Sequence, residues 1–166
     1  MKHKLTQQDV DKMKAEIEHR KVEVRPELLE HVKEARAHGD LSENFEYHAA
    51  KKEKNRNESR IRYLERMSKT AQVIEDTSDS RQVGLNDTVV LYIEDDDCTE
   101  EYKIVTTVRA DVLHNLISIE SPMGKALLKH QTGDRIFIAI NDKGGYYAQI
   151  REIRKSDDES EQISQY

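Results

Sequence analysis

Two carboxylates three residues apart, Asp40 and Glu43, lie in a short polar segment between two long helical patterns. A turn between two helices projects from the helices it joins, so we expect these acids at a tip. Carboxylate oxygens are ligands that Mg²⁺ prefers, but two of them fill only part of its octahedral shell. The same spacing is typical of a capping box, in which side chains at a helix start satisfy backbone donors. From these residues alone, half a metal site and a helix cap both remain open.

The segment before this tip has the periodicity of a helix. Thr6 opens it with a capping-box pattern in which Asp9 replaces the usual Glu. Apolar residues follow at spacings of three and four to about Ala37, which forms a narrow stripe. Pro26 removes a backbone donor inside this pattern and predicts a kink or local break near Val22–Arg25.

Residues 40–43 have N-cap character, and a second helix is predicted after them to about Ile74, again with sparse apolar positions. Two narrow stripes joined by a short turn indicate an antiparallel coiled-coil hairpin, which we assign to residues 1–75. Residues 51–69 carry eight basic and three acidic side chains. This run can attract phosphate, or it can be a solvated helix face.

The second half of the chain has the patterns of strands rather than of helices. After a polar linker over residues 76–82, β-rich runs separated by turn residues alternate through residues 83–154. One short helix interrupts them, beginning at Ser121–Pro122, where serine caps and proline takes the first helical position. Residues 155–166 are polar and mostly acidic, which predicts a disordered tail. The fold class is therefore α+β, a helical hairpin followed by a small α+β domain.

Composition narrows the class of protein. The chain has 166 residues, of which 36% are apolar and 36% are charged, too little apolar material for one large core. Cys98 is the single cysteine, so no intrachain disulfide can form, and no apolar run is long enough for a membrane span. We expect a cytoplasmic protein and a monomer. Residues 1–75 carry 17 basic and 15 acidic side chains and the remainder 10 and 18, so the acidity lies in the second half.

Two long motifs resemble one family. Residues 34–51, with Gly39 through Glu46 at their centre, are similar to the hairpin-tip signature of the bacterial transcript cleavage factors, the Gre family. Residues 115–128 and the Thr132–Asp134 triplet resemble the C-terminal domain of the same family, in the same order along the chain. The resemblance is closest to the GreA branch.

This resemblance implies a fold and a mechanism. The expected fold is a coiled-coil hairpin followed by an FKBP-like domain that docks on the rim of the secondary channel of RNA polymerase. The hairpin enters the channel, where Asp40 and Glu43 would hold Mg²⁺ jointly with RNA polymerase, assisted by Ser42. The chain alone then binds no cofactor and is no enzyme. Backtracked RNA is cut near its 3′ end by the polymerase's own active centre.

The remaining site assignments follow from the same resemblance and from residue type. We expect contacts to nascent RNA from three residues near the tip, Lys51, Lys52 and Phe45, and contacts to polymerase from a short run in the second half, Ser121, Pro122, Met123 and Gly124. Phe45 occupies a position where the family usually has a small residue. That difference keeps an alternative open, a channel-binding polymerase regulator that does not stimulate cleavage. Proline isomerase activity of the FKBP-like half is not expected, because fold does not imply function.

Overall fold

The computed structural model describes residues 2–40 and 43–165. The chain divides into two compact units, one containing Val10–Ala71 and the other containing His3–Asp9 together with the chain from Gln72 onward. In the described part of the chain, no helix is both long and apolar enough to cross a membrane. The predicted α+β class is confirmed.

The first unit is built from helices. Its helical segments are α1 (Gln7–His19), a π-helical segment (Arg20–Val24), α2 (Arg25–Arg36) and α3 (Phe45–Lys69). The antiparallel pairing of α2 with α3 forms the predicted hairpin, with apolar side chains buried along it at Val32, Ala35, Ile61, Leu64 and Met67. The capping box predicted at Thr6 is confirmed. The Asp9 carboxylate accepts from the Thr6 N–H at 3.0 Å, and the Thr6 hydroxyl accepts from the Asp9 N–H at 3.2 Å.

A local break was predicted near Val22–Arg25, and the structure places the π-helical segment at Arg20–Val24. A π-turn changes the carbonyl pairing of the helix, and here the Arg20 carbonyl accepts from the Arg25 N–H. The Asn57 amide donates to the same carbonyl at 3.4 Å, and its oxygen accepts from the Arg20 guanidinium at 3.0 Å. Asn57 is only 3% exposed, so one buried amide on α3 satisfies both the main chain and the side chain of the irregular turn.

Charged groups continue this contact between the arms. Glu16 accepts from Arg20 and from Arg60, each with a 2.8 Å contact to the same carboxylate oxygen. Arg25 and Glu58 form a two-pronged pair at 2.7 and 2.9 Å. Charge-assisted hydrogen bonds with this forked geometry are stronger and more directional than single ones, so they favour one register of the hairpin.

The second unit is a curled sheet with one short helix. Its elements are β1 (His3–Leu5), β2 (Ala71–Val73), β3 (Thr88–Ile93), β4 (Cys98–Val105), β5 (Leu116–Ser118), α4 (Pro122–Leu127), β6 (Arg135–Asn141) and β7 (Gly144–Arg154). β1 and β2 form a two-stranded sheet, and the remaining five strands form one sheet in the order β5-β4-β3-β7-β6. Only the β4–β5 pair of that sheet is parallel.

Alternate residues of the long strands face a single core. The buried members are Val83, Leu85, Val89, Leu91, Ile93, Ile104, Ile119, Leu127, Ile136, Ile138, Ala148 and Ile150. Period-two alternation of this kind is what the sequence of a half-buried sheet requires. The helix predicted after Ser121–Pro122 is confirmed as α4, which packs against β5 and β6.

Two boundaries differ from the prediction. The second helix was predicted to have its cap within residues 40–43 and to reach about Ile74, but its cap is Asn44 and it spans Phe45–Lys69. Residues beyond Thr70 leave the helix because Ala71–Val73 pairs with His3–Leu5 in the small sheet. This pairing joins residues almost seventy positions apart, which local periodicity does not register.

Candidate functional site

The candidate site is the connection between α2 and α3. α2 ends at Arg36, and Gly39 then takes a φ of +125°, a backbone conformation that other L-residues rarely adopt. Asp40 and Glu43 follow, and both are exposed to solvent. Ser42, which was assigned to assist the two acids, lies outside the described residues. The structure therefore places both predicted acids in one short surface segment.

The N-cap of α3 is Asn44 rather than Asp40. The Asn44 side-chain oxygen accepts from the Tyr47 N–H at 3.0 Å, and its amide donates to the Ala35 carbonyl at 2.7 Å. The prediction that the segment from Asp40 to Glu43 caps the helix is wrong, because Asn44 satisfies the orphan donor and ties the start of α3 to the end of α2. The cap of α3 therefore does not require either acid.

The two acids carry the oxygen donors of a hard-metal site, but too few of them to complete it. Asp40 and Glu43 supply hard oxygen donors, the type that Mg²⁺ takes, but fewer than its octahedral shell needs. Within residues 2–40 and 43–165, no group of three or more His, Cys, Asp or Glu side chains is arranged to hold a metal ion.

Aromatic side chains on either side of the cap have different environments. Phe45 is 86% exposed, as expected for a ring with no packing role. Tyr47 is half-buried, and the Arg36 guanidinium lies 5.6 Å from its ring centroid. A hydrogen bond from Arg36, helped by the charge of Lys51, lowers the pKa of the Tyr47 hydroxyl. Tyr47 thus closes the turn against α2, while Phe45 presents its ring to solvent.

Basic side chains follow the tip along α3. Lys51 and Lys52 are both exposed, so both are available to an anionic ligand. Farther along, Arg56 pairs with Glu53 at 3.1 Å, and Arg60 is buried against Glu16. The basic run is therefore divided: its beginning faces solvent, and Arg60 belongs to the hairpin interior. The only sequence signal of this burial is weak, and it lies in the apolar residues near Arg60, such as Ile61 and Leu64.

The residues assigned to polymerase docking have structural duties in the second unit. The Ser121 hydroxyl accepts from the Gly124 N–H at 3.0 Å and donates to the Ser118 carbonyl at 2.6 Å. Met123 packs on the core, whereas Pro122 is exposed. A Cβ atom on Gly124 would lie 2.0 Å from the Ser118 carbonyl oxygen, so this position requires glycine. Their assignment to docking stays a prediction.

Comparison with known proteins identifies the family. The profile described as "Transcription elongation factor, N-terminal" matches residues 3–73, and that described as "Transcription elongation factor, GreA/GreB, C-term" matches residues 78–155. The chain belongs to the GreA/GreB family of transcription elongation factors. The resemblance inferred from the tip and C-terminal motifs is confirmed. Both family regions are present, and they follow each other in the expected order.

Individual relatives support the same placement in the family. The transcription elongation factor GreA of Thermoanaerobacter pseudethanolicus is 44% identical over 153 residues, which are 91% of this chain and 96% of that protein. GreA of Agrobacterium fabrum is 43% identical over 142 residues, 85% of this chain and 89% of that protein. GreA of Macrococcus caseolyticus is 40% identical over 149 residues, 90% of this chain and 94% of that protein.

Solved structures of related proteins align over much of the chain. GreA factor homolog 1 of Thermus thermophilus covers 93% of this chain and 100% of its own, with 29% identity and a TM-score of 0.44. The GreA/GreB elongation factor of Nitrosomonas europaea covers 57% of this chain and 79% of its own, with 26% identity and a TM-score of 0.40.

Proposed function

We propose that this chain binds RNA polymerase, places its hairpin in the secondary channel and stimulates the polymerase's own cleavage of backtracked RNA. The observation that carries the proposal is that the residue that caps α3 is distinct from the two exposed acids at the tip. Asn44 caps α3, and Asp40 and Glu43 lie exposed just before it. Membership in a family of transcription elongation factors supports RNA polymerase as the partner.

In this proposal the chain is an accessory to the polymerase rather than an enzyme. Asp40 and Glu43 would be the residues that hold Mg²⁺, completed by ligands of the polymerase. The ion, when bound, supplies activation of water and stabilisation of charge at the scissile phosphate. Ser42, which lies between the two acids in the sequence, would assist them by orienting the attacking water.

Other tip residues would position the RNA. Lys51 and Lys52 present two exposed positive charges on α3, which suit contacts to backbone phosphates. The exposed ring of Phe45 offers a face on which an unpaired base near the 3′ end can stack. The asparagine and tyrosine of the turn hold the segment in place through Asn44–Ala35 and Arg36–Tyr47.

Backtracked elongation complexes with labelled RNA test the proposal. The chain should shorten the RNA from its 3′ end in Mg²⁺, and the double variant Asp40→Asn, Glu43→Gln should cleave about a hundredfold more slowly, a loss of about 3 kcal/mol of transition-state stabilisation. The double variant should still compete with the unmodified chain for polymerase. Glu53→Gln, an exposed acid on α3 paired with Arg56, is the matched control and should cleave normally.

Phe45 favours the alternative of a channel-binding regulator without cleavage. At 86% exposure, a ring directly after the cap adds bulk where the family usually has a small residue. Slowed transcription with no shortening of backtracked RNA would select this alternative. In that case Phe45→Ala should restore cleavage if the ring alone blocks access of the acids.

A further inference from the structure

A fully buried arginine in the second unit has ion-pair partners that the proposed function does not use. The Arg109 side chain is 0% exposed, and its Nε lies 2.8 Å from an Asp9 carboxylate oxygen. Its Nη2 lies 3.1 Å from Glu159, and its Nη1 lies 3.2 Å from Glu161. A buried guanidinium is stable only where carboxylates compensate its lost hydration. Two of the three that do so here come from the last residues of the chain.

Those last residues were predicted to be disordered, because they are polar and acidic. The structure gives residues 155–165 no helix or strand, yet their backbone and side chains contact the domain. The Lys155 ammonium lies 2.6 Å from the buried Asp87 carboxylate, which also accepts from the Ser156 N–H at 3.0 Å. Near the other end, the Ser164 N–H donates to the Val108 carbonyl at 2.6 Å.

A second cation lies beside Arg109. The Lys103 ammonium, whose side chain is 16% exposed, lies 2.8 Å from Glu161 and 3.3 Å from Asp158. Glu161 thus bridges both cations. The hydrogen bond from Ser160, followed by that from Lys103, lowers the pKa of Asp158. Three acids of the tail converge on two cations of the domain, so charge-assisted contacts are a main part of what holds the segment.

The tail does not fill the groove it crosses. A cavity of about 500 Å³ lies beside Arg109, lined by residues 109–111 and Leu116 on the domain side and by residues 161–165 on the tail side. A segment that is held mainly by ion pairs and hydrogen bonds and lines a cavity together with the domain resembles a bound peptide more than a core element.

We propose that Lys103 and Arg109 form a binding site for acidic peptide segments, and that residues 155–165 are its tethered occupant. Because the occupant is covalently attached, its effective concentration is in the millimolar range, and the site is closed to weaker competitors in the intact chain. Acidic segments of another protein reach the two cations only when the tail leaves. This inference is independent of the tip acids and of RNA cleavage.

A labelled peptide of residues 155–166 tests the site against a chain that ends at Arg154. The peptide should bind the shortened chain, should bind more weakly as salt is raised, and should not bind the full chain. Glu161→Gln in the peptide should weaken binding about tenfold or more. Asp157→Asn removes the same charge from an exposed side chain and should change binding by less than about twofold.

Three outcomes would overturn the proposal. The first is that the peptide does not bind a shortened chain that still unfolds cooperatively. The second is that Glu161→Gln and Asp157→Asn weaken peptide binding equally. The third is that a single-stranded oligonucleotide binds the shortened chain as tightly as the peptide does, which would indicate a phosphate site instead. If the shortened chain does not fold, the full chain supplies the test. There Glu161→Gln should speed trypsin cleavage after Lys155 several-fold relative to Asp157→Asn, and equal rates would refute the site.

Discussion

At the scale of single residues, Asn44 caps α3, and Asp40 and Glu43 lie exposed just before it. Asn44 makes the two contacts that the turn needs, one within α3 and one to Ala35 on the opposite arm. A local pattern of acids three residues apart cannot distinguish a cap from a metal-binding pair. The contact that identifies Asn44 as the cap joins it to Tyr47, three positions on, whereas the contact to Ala35 spans nine positions. Capping rules allow Asn44 as well as Asp40 at this position, so they did not choose between them, and the contact to Ala35 depends on the other arm of the hairpin.

Gly124 is a residue whose requirement can be measured. A Cβ at this position meets the Ser118 carbonyl at 2.0 Å, whereas a Cβ on Gly144 meets nothing within 4 Å. Gly124→Ala should lower the free energy of unfolding by about 1–3 kcal/mol through forced displacement of the backbone. Gly144→Ala should change it by less than about 0.5 kcal/mol. Urea denaturation of both variants provides the comparison, and equal stabilities would show that the close approach at Gly124 is absent.

The ion pair of Glu94 predicts that the stability of the fold depends on pH in the acidic range. Hydrogen bonds from Arg135 and then from Gln149 lower its pKa from 4.5 to about 2. The pKa is lower in the folded than in the unfolded chain, so the carboxylate stabilises the fold above pH 4.5, and this contribution disappears as the pH falls from 4.5 through about 2.

The side-chain carbon shift of Glu94 in an NMR titration gives this pKa directly. Arg135→Gln should raise the midpoint toward the ordinary value, because it removes the main donor to the carboxylate. Arg154→Gln removes an arginine that pairs with Glu101 and Glu152 instead, and it should leave the midpoint unchanged. A Glu94 midpoint near 4.5 in the unmodified chain would refute the pairing.

At the scale of elements, the hairpin arms are joined by polar contacts as well as by an apolar stripe. Pro26 predicted an irregularity in the first arm, and the observed π-helical turn overlaps the predicted region. The residue that accommodates the turn, Asn57, lies on the other arm and carries no local signal. Likewise, the strands His3–Leu5 and Ala71–Val73 escaped prediction because each has only three residues and is stabilised by its distant partner.

Asn57 should therefore contribute more to the stability of the hairpin than its neighbour Arg56 on the same helix. Asn57→Ala leaves the Arg20 side chain without its 3.0 Å acceptor and the Arg20 carbonyl without the Asn57 donor. We expect the free energy of unfolding to fall by about 1–3 kcal/mol. Arg56→Ala breaks only an exposed pair and should cost less than about 0.5 kcal/mol. Thermal and urea unfolding distinguish the two, and similar losses would contradict a structural role for the buried amide.

At the scale of the whole molecule, the order of elements and the family were predictable because they depend on long periodic segments and extended motifs. Which residues belong to each compact unit was not predictable from the sequence. Residues 3–9 belong with the C-terminal sheet, through contacts such as Asp9 with Arg109, one hundred positions away. A buried ion pair between such distant residues leaves no periodic trace in either segment.

The central claim is that exposed acids at the tip supply ligands to a metal in the active centre of RNA polymerase. The most direct measurement is the Mg²⁺ concentration for half-maximal cleavage in backtracked complexes saturated with this chain. The chain should lower this concentration about tenfold or more, and the variant Asp40→Asn, Glu43→Gln should bind equally well without lowering it. If the double variant lowers it as far as the unmodified chain does, the two acids are not ligands of the metal.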